Sequence, residues 1–121
     1  MRIIVNGAMG RMGTALRAVI ERGYCNAVLA GSVDGNAAGA EMFSSLREVS
    51  CEADCIIDFS SPNNLQMIFD YATKYNKPVV FATTGYTEDQ LFKIKELSRY
   101  VPVLQSANFS LGINLINRIV K

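Results

Sequence analysis

The feature that most constrains this chain lies in its first twenty residues. Arg2-Ile3-Ile4-Val5-Asn6 is a largely apolar run of strand length. Gly7, Gly10 and Gly13 follow at three-residue intervals, and Met12, Ala15, Leu16, Val19 and Ile20 then recur on one face of a helix. Strand, glycine turn and helix in immediate succession are the opening of a dinucleotide-binding βαβ unit. The glycines have a chemical reason. A diphosphate must come close to the backbone, where a Cβ would obstruct it. The unpaired N–H groups of the first helical turn then hold the anion, aided by the helix dipole. The dipole contributes only about 0.3–1 kcal/mol per charge, so the backbone hydrogen bonds must do most of the holding. The spacing is Gly7-x-x-Gly10-x-x-Gly13, with the first interval one residue longer than in G-x-G-x-x-G and Met9 where a glycine often stands. Any α/β protein with a glycine turn between strand and helix shares this pattern, so the motif alone does not decide the ligand.

The rest of the chain repeats the same alternation. Gly23 should stop the first helix, placed at Gly10–Arg22. Ala27–Val33 reads as the second strand, ending at Asp34, and residues 35–39 as loop. Ser44–Val49 suits one or two helical turns with Ser44 or Ser45 as cap. Asp54–Phe59 is a third strand. Pro62 follows Ser60 and Ser61 as a favourable first helical residue, and Leu65, Ile68, Phe69 and Ala72 carry helical spacing through to Tyr75. Val79–Ala82 is a fourth strand and Thr83-Thr84-Gly85 a turn. Thr87 to Gln90 is a capping box, opening a helix expected to bury Leu91, Ile94 and Leu97. Val101–Leu104 is a fifth strand, and an apolar segment runs from Leu111 to Val120. The strands are mostly continuous apolar runs, which predicts a parallel sheet covered on both faces: a doubly wound, three-layer αβα fold of Rossmann type.

Two further features favour a dinucleotide. Asp34 ends the second strand about 20 residues beyond the glycine turn, where a carboxylate takes the ribose hydroxyls of the adenosine half; a strand-end Asp capping a loop is the plainer alternative. The carboxyl ends of the strands carry Gly7, Asp34, Phe59-Ser60, Thr83-Thr84 and Ser106-Ala107-Asn108-Phe109, small polar groups where an open α/β sheet binds its ligand. Each alone could be turn chemistry.

Composition removes other classes. A net charge of +1 gives no electrostatic case for nucleic acid or an anionic membrane. No apolar run approaches bilayer length, and residues 1–5 enter a strand at once, so neither a membrane span nor a signal peptide is expected. There is no histidine, and Cys25, Cys51 and Cys55 lack metal-ligand spacing. No metal site is expected; reduced thiols of a cytoplasmic protein are.

Four segments in order, Gly7-x-x-Gly10-Arg11-Met12-Gly13, Ile57-Asp58-Phe59-Ser60-x-Pro62, Thr83-Thr84-Gly85 and Ser106-Ala107-Asn108-Phe109-Ser110-Leu111-Gly112-Ile113-Asn114, resemble those of the 4-hydroxy-tetrahydrodipicolinate (dihydrodipicolinate) reductases of lysine and diaminopimelate biosynthesis. The resemblance spans essentially the whole chain. It implies a Rossmann-type cofactor domain joined by a hinge to a substrate domain, with hydride transfer from NADH or NADPH to a cyclic imine-type dicarboxylate. By position it implies that Gly7, Ala8, Met9, Gly10, Arg11 and Met12 hold the pyrophosphate and Asp34 the ribose. Ala82, Thr83 and Thr84 would lie beside the nicotinamide, Ser106, Ala107, Asn108 and Phe109 would complete that pocket, and Ser110 would lie at the hinge. It also implies a homo-oligomer.

Two departures follow. The His-His…Lys signature of the family's substrate domain is missing, and Lys121 falls inside an apolar helical pattern. The expectation is a cofactor domain over residues 1–110, with residues 111–121 the hinge and start of a helix towards an absent substrate domain, and no catalytic residue in this chain. Gly35 stands where NADPH-using relatives often place an Arg. A charged hydrogen bond contributes about 1.5–3 kcal/mol, so NADH should be preferred unless Arg11 compensates. A stand-alone NAD(H)-binding regulatory module is the alternative from another class, and a structural subunit packing its apolar end on a partner is a third.

Overall fold

The computed structural model describes residues 1–35, 42–49, 52–83 and 85–105. Five of the expected features lie outside these: residues 36–39 of the loop, Cys51, Thr84, Ser106–Ser110 and the apolar segment 111–120. The elements are β1 (Arg2–Asn6), α1 (Arg11–Glu21), β2 (Val28–Val33), β3 (Cys55–Asp58), α2 (Leu65–Tyr75), β4 (Val79–Phe81), α3 (Glu88–Leu97) and β5 (Val103–Gln105). Short 3-10 turns at Tyr24–Asn26, Leu46–Glu48 and Pro62–Asn64 join them. All five strands are parallel, in the order β2-β1-β3-β4-β5.

The sheet is covered on both faces because adjacent residues of each strand point opposite ways. Ile3, Val5, Cys55, Ile57 and Val80 pack with Leu16 and Ile20 of α1. Ile4, Ile56, Val79 and Phe81 pack with Leu46, with Leu65, Ile68 and Ala72 of α2, and with Ile94 and Leu97 of α3. These strands therefore read as unbroken apolar runs. Burial thins at the outer strands, where Val28 is exposed and β5 only half-buried.

Local chemistry sets the boundaries. Gly23, at φ 79°, follows α1 and donates its N–H to the Ile20 carbonyl at 2.9 Å. Ser45, not Ser44, caps the turn at Leu46, accepting the Arg47 N–H at 3.3 Å. Thr87 and Gln90 form the expected reciprocal box on α3, at 3.2 and 2.8 Å.

Two helix faces differ from the expectation. Leu91 is 41% exposed, because α3 turns Ile94 and Leu97 to the sheet and leaves Leu91 and Phe92 outward. In α1 the buried line is Gly13, Leu16 and Ile20, with Ala15 exposed and Met12 and Val19 half-buried. The helix sits so close to β1 that a glycine, not a larger apolar residue, marks the centre of contact.

Candidate functional site

The order β2-β1-β3 places a topological switch between β1 and β3: the chain leaves β1 towards one edge and returns on the other side. In open α/β sheets the ligand crevice opens at the carboxyl ends of the strands at such a point. A crevice of about 380 Å³ lies there, its wall formed by Asn6, Gly7 and Gly10, by Val33 to Gly35, by Ser44 to Leu46 and by the segment from Phe59 to Ser61 with Asn64 and Met67.

The three glycines have different duties. A Cβ on Gly7, which has φ +80°, would stand 2.6 Å from the Phe59 carbonyl carbon and the Ser60 nitrogen. On Gly13 it would stand 2.1 Å from the Gly7 carbonyl oxygen. Both are demanded by the fold: one by a tight turn against β3, the other by helix–strand contact. On Gly10 the nearest atom would be 3.5 Å away, an ordinary contact. The protein's own packing does not require glycine at position 10; a ligand approaching the backbone would.

The turn's hydrogen bonds show which donors remain. The Gly7 and Ala8 N–H groups both donate to the Val33 carbonyl, at 2.8 and 3.0 Å, and the Gly10 N–H to the Gly7 carbonyl at 3.2 Å. The Met9 N–H donates to Asp34 Oδ2 at 2.9 Å. Ala8 is fully buried, and its carbonyl accepts from Arg17 Nε at 2.9 Å and Thr14 Oγ1 at 3.4 Å. Ala8 and Met9 thus anchor the turn. The first turn of α1, starting at Arg11 and Met12, has no side-chain cap and no acidic residue. Its N–H groups point out of the helix end beside Gly10, the arrangement that binds an anion. Asp34, at the end of β2, also lines the crevice and is tied to this turn through Met9.

The structure therefore brings Gly7, Gly10 and Asp34 to one crevice, with Met9, Arg11 and Met12 on the adjoining turn. Ala82 and Thr83 lie one strand further on, outside that wall. They connect to it through β3: the Ala82 N–H donates to the Asp58 carbonyl at 2.9 Å and Thr83 Oγ1 lies 3.5 Å from the same oxygen.

Sequence reading did not single out Asn6 and Asp58. The β1–β3 register sets them side by side at the ends of their strands, on the α2/α3 face. Asp58 is fully buried. Its Oδ1 accepts from Asn6 Nδ2 at 3.0 Å, from the Ser60 N–H at 3.0 Å and from the Ser60 hydroxyl at 2.5 Å. Burial pushes the Asp58 carboxyl above its ordinary range, and the bonds from Ser60 and Asn6 offset this only in part. Its Oδ2 and the Tyr86 hydroxyl are both buried, and neither completes a hydrogen bond. The two are near enough to matter electrostatically: burial first, and then the Asp58 charge, raise the Tyr86 phenol. A signal was available, since a polar residue closes two otherwise apolar runs, Ile3-Ile4-Val5-Asn6 and Ile56-Ile57-Asp58. Cys55 is chemically quiet, its thiol pushed up to about 12 mainly by burial. Among the described residues no cluster suits a metal ion, and no helix is long and apolar enough to cross a membrane.

A sequence-family profile described as "Dihydrodipicolinate reductase, N-terminus" matches residues 1–109. The chain belongs to the dihydrodipicolinate reductase family. Within that family it is similar to the 4-hydroxy-tetrahydrodipicolinate reductase of Clostridium novyi, 38% identical over 122 residues, which cover 99% of this chain and 48% of the relative. The protein of the same name from Caldanaerobacter subterraneus is 38% identical over 123 residues, 100% of this chain and 49% of the relative. The chain spans about half the length of these curated relatives. Among solved structures, the dipicolinate-bound dihydrodipicolinate reductase from Paenisporosarcina sp. TG-14 superposes with a TM-score of 0.76 at 22% identity, over 93% of this chain and 49% of that one. A Thermus thermophilus protein titled cell-free ID.343 superposes at 0.67 and 19% identity, over 94% of this chain and 89% of that one. At these identities the likeness establishes the doubly wound fold of the family's amino-terminal part.

Proposed function

We propose that this chain is the dinucleotide-binding part of a 4-hydroxy-tetrahydrodipicolinate reductase in the cytoplasmic lysine and diaminopimelate pathway, with residues 1–110 the cofactor domain. A bound NADH or NADPH supplies the hydride for reduction of the cyclic dicarboxylate. The chain's own residues hold and orient the dinucleotide. The first turn of α1 takes the diphosphate, Gly10 lets it reach the backbone, and Asp34 accepts the ribose hydroxyls. Ala82 and Thr83 border the nicotinamide end; the family resemblance gives Thr84 and Ser106 to Phe109 the same role. The observation that carries this reading is the helix end: α1 begins beside the switch-point crevice without a side-chain cap, next to a glycine that the fold itself does not need.

NADH is the preferred cofactor. Asp34 repels a 2′-phosphate, and Gly35 offers it no cation. Family membership supports the reductase reading, and the dicarboxylate substrate and homo-oligomeric assembly belong to the whole protein.

Calorimetric titration with NADH and NADPH is the test. NADH should bind, NADPH more weakly. No binding at millimolar NADH in a folded sample removes the assignment. Asp34→Ala should weaken NADH tenfold or more, in line with about 1.5–3 kcal/mol for a hydrogen bond to a charged group. Asp34→Asn should narrow the gap between the two cofactors by removing the charge. Equal NADH binding by wild type and Asp34→Ala would mean that the ribose lies elsewhere.

A further inference from the structure

Asp58 is a carboxylate behind the crevice lining, bonded to Asn6 and Ser60 of that lining and itself fully buried, so it cannot touch a ligand. Its donors are all uncharged: a side-chain amide, a backbone N–H and a hydroxyl. Such a group is costly to bury without a cation beside it. What it does to its neighbours is specific. Ser60 has two hydrogen-bond donors, its N–H and its O–H, and both are directed at Asp58 Oδ1, at 3.0 and 2.5 Å. Asn6 Nδ2 approaches the same pair, 3.0 Å from Oδ1 and 3.2 Å from Ser60 Oγ. This orientation of the Asn6 amide is the one the chemistry demands, since the reverse would set its carbonyl against a carboxylate. Ser60 Oγ therefore donates to Asp58, accepts from Asn6 and keeps acceptor capacity only. Both Asn6 and Ser60 line the crevice.

We propose that Asp58 is a positioning residue that fixes the Ser60 hydroxyl as an acceptor on the crevice floor, so that this part of the crevice receives a sugar hydroxyl and turns away phosphate oxygens. A hydroxyl of the ligand can donate to Ser60 Oγ; a phosphate oxygen, having nothing to donate, meets only lone pairs. The backbone donors of Gly7 and Ala8 are likewise engaged with Val33. Around the glycine turn the donors for an anion are thus those of the first turn of α1, and the Ser60 hydroxyl offers an acceptor at the β1/β3 edge. The crevice has a built-in polarity that sets which part of an extended dinucleotide lies over which strand end. This rests on the dinucleotide reading above and adds its register.

The test uses the full chain with NADH and inorganic pyrophosphate as separate probes, and proton NMR of the Ser60 hydroxyl as a readout that needs neither. Asp58→Val should weaken NADH tenfold or more without weakening pyrophosphate, and the slowly exchanging, downfield Ser60 hydroxyl proton should disappear. Asp58→Asn keeps a carbonyl oxygen facing Ser60 and should restore most of the NADH affinity and the protected proton. Ser60→Ala should weaken NADH severalfold and leave pyrophosphate unchanged. Parallel loss of both probes in Asp58→Val would show a merely structural role and overturn the proposal. So would a loss of pyrophosphate in Ser60→Ala, which would make Ser60 a phosphate donor. Should Asp58→Val fail to fold, the Asn and Ala variants decide. If wild type binds neither probe, the dinucleotide reading fails. The hydroxyl proton then decides separately: protected, it upholds the polarity of the floor; exchanging freely in wild type, it overturns it.

Discussion

The amino ends of α1 and α3 are built from opposite materials. Helix α3 starts at Thr87 with a complete capping box and carries Glu88 and Asp89 in its first turn. The Thr87 and Gln90 N–H groups are satisfied from within, and the acidic first turn complements the dipole. Helix α1 starts at Gly10 with no cap and no acid. Sequence choice has closed one helix end to anions and left the other open, and the open end lies at the switch-point crevice. An uncapped end forgoes stability, about 1 kcal/mol for a missing Ser, Thr, Asp or Asn cap. The dinucleotide proposal turns on this contrast: the α3 end is closed by its own side chains, and the α1 end is left open.

The largest expected effect attacks the frame of the open end. Gly13→Ala puts a methyl 2.1 Å from the Gly7 carbonyl oxygen and forces α1 away from β1. It should cost roughly 3 kcal/mol, in the range of core overpacking, seen as a lower urea midpoint, with dinucleotide binding lost alongside. Gly10→Asp should make α1 resemble α3. Position 10 has φ −70° and ψ 170°, which suits any residue. A carboxylate cap there should leave stability equal or raised, yet weaken NADH at least tenfold, or about 1.4 kcal/mol, because the protein then supplies its own anion. Unchanged NADH affinity in this variant would break the comparison. Thr87→Ala removes the box on α3 and should cost about 1 kcal/mol with no change in NADH affinity.

The two ends of β3 sharpen the contrast in sign. Asp58, at the carboxyl end, has its pKa raised by burial. The folded state therefore binds its proton more tightly, and that share of stability is lost as pH rises through the raised value. Asp58→Asn should melt higher than wild type at neutral pH, with the gap closing towards the ordinary carboxylate value of 3.8. Asp54, just before the strand, is held low first by the Arg2 backbone N–H, 2.6 Å from Oδ2, and also by the Arg2 charge. Its contribution is present above 3.8 and lost as pH falls through the lowered value. Asp54→Asn should destabilise at neutral pH, the smallest effect of the series, within about 0.5 kcal/mol for so exposed a group.

Much of this was legible beforehand for particular reasons. The alternation of strands and helices followed from punctuation such as Gly23, Pro62 and Thr87, where local backbone chemistry leaves little choice. The glycine turn and Asp34 were legible as local patterns, a strand running into a glycine turn and helix and an acid closing the second strand, and the structure brings Gly7, Gly10 and Asp34 to one crevice. Leu91 was misjudged because helical periodicity fixes a face only to within about a residue's rotation, and the sheet selected Ile94 and Leu97. Asn6 and Asp58 each close an apolar run, but they sit far apart in the chain, and that they meet is visible only once β1 and β3 are set in register.

By itself the sequence determined the kind of layers, the open helix end and the glycine turn and strand-end acid that line the crevice. These depend on interactions within a few residues: caps, turns and the periods of strand and helix. The tertiary structure alone decided the order β2-β1-β3-β4-β5, the distinct duties of Gly7, Gly10 and Gly13, and the joining of Asn6, Asp58 and Ser60 into one floor. Those depend on how closely segments some fifty residues apart approach one another, and separation along the chain carries no record of separation in space.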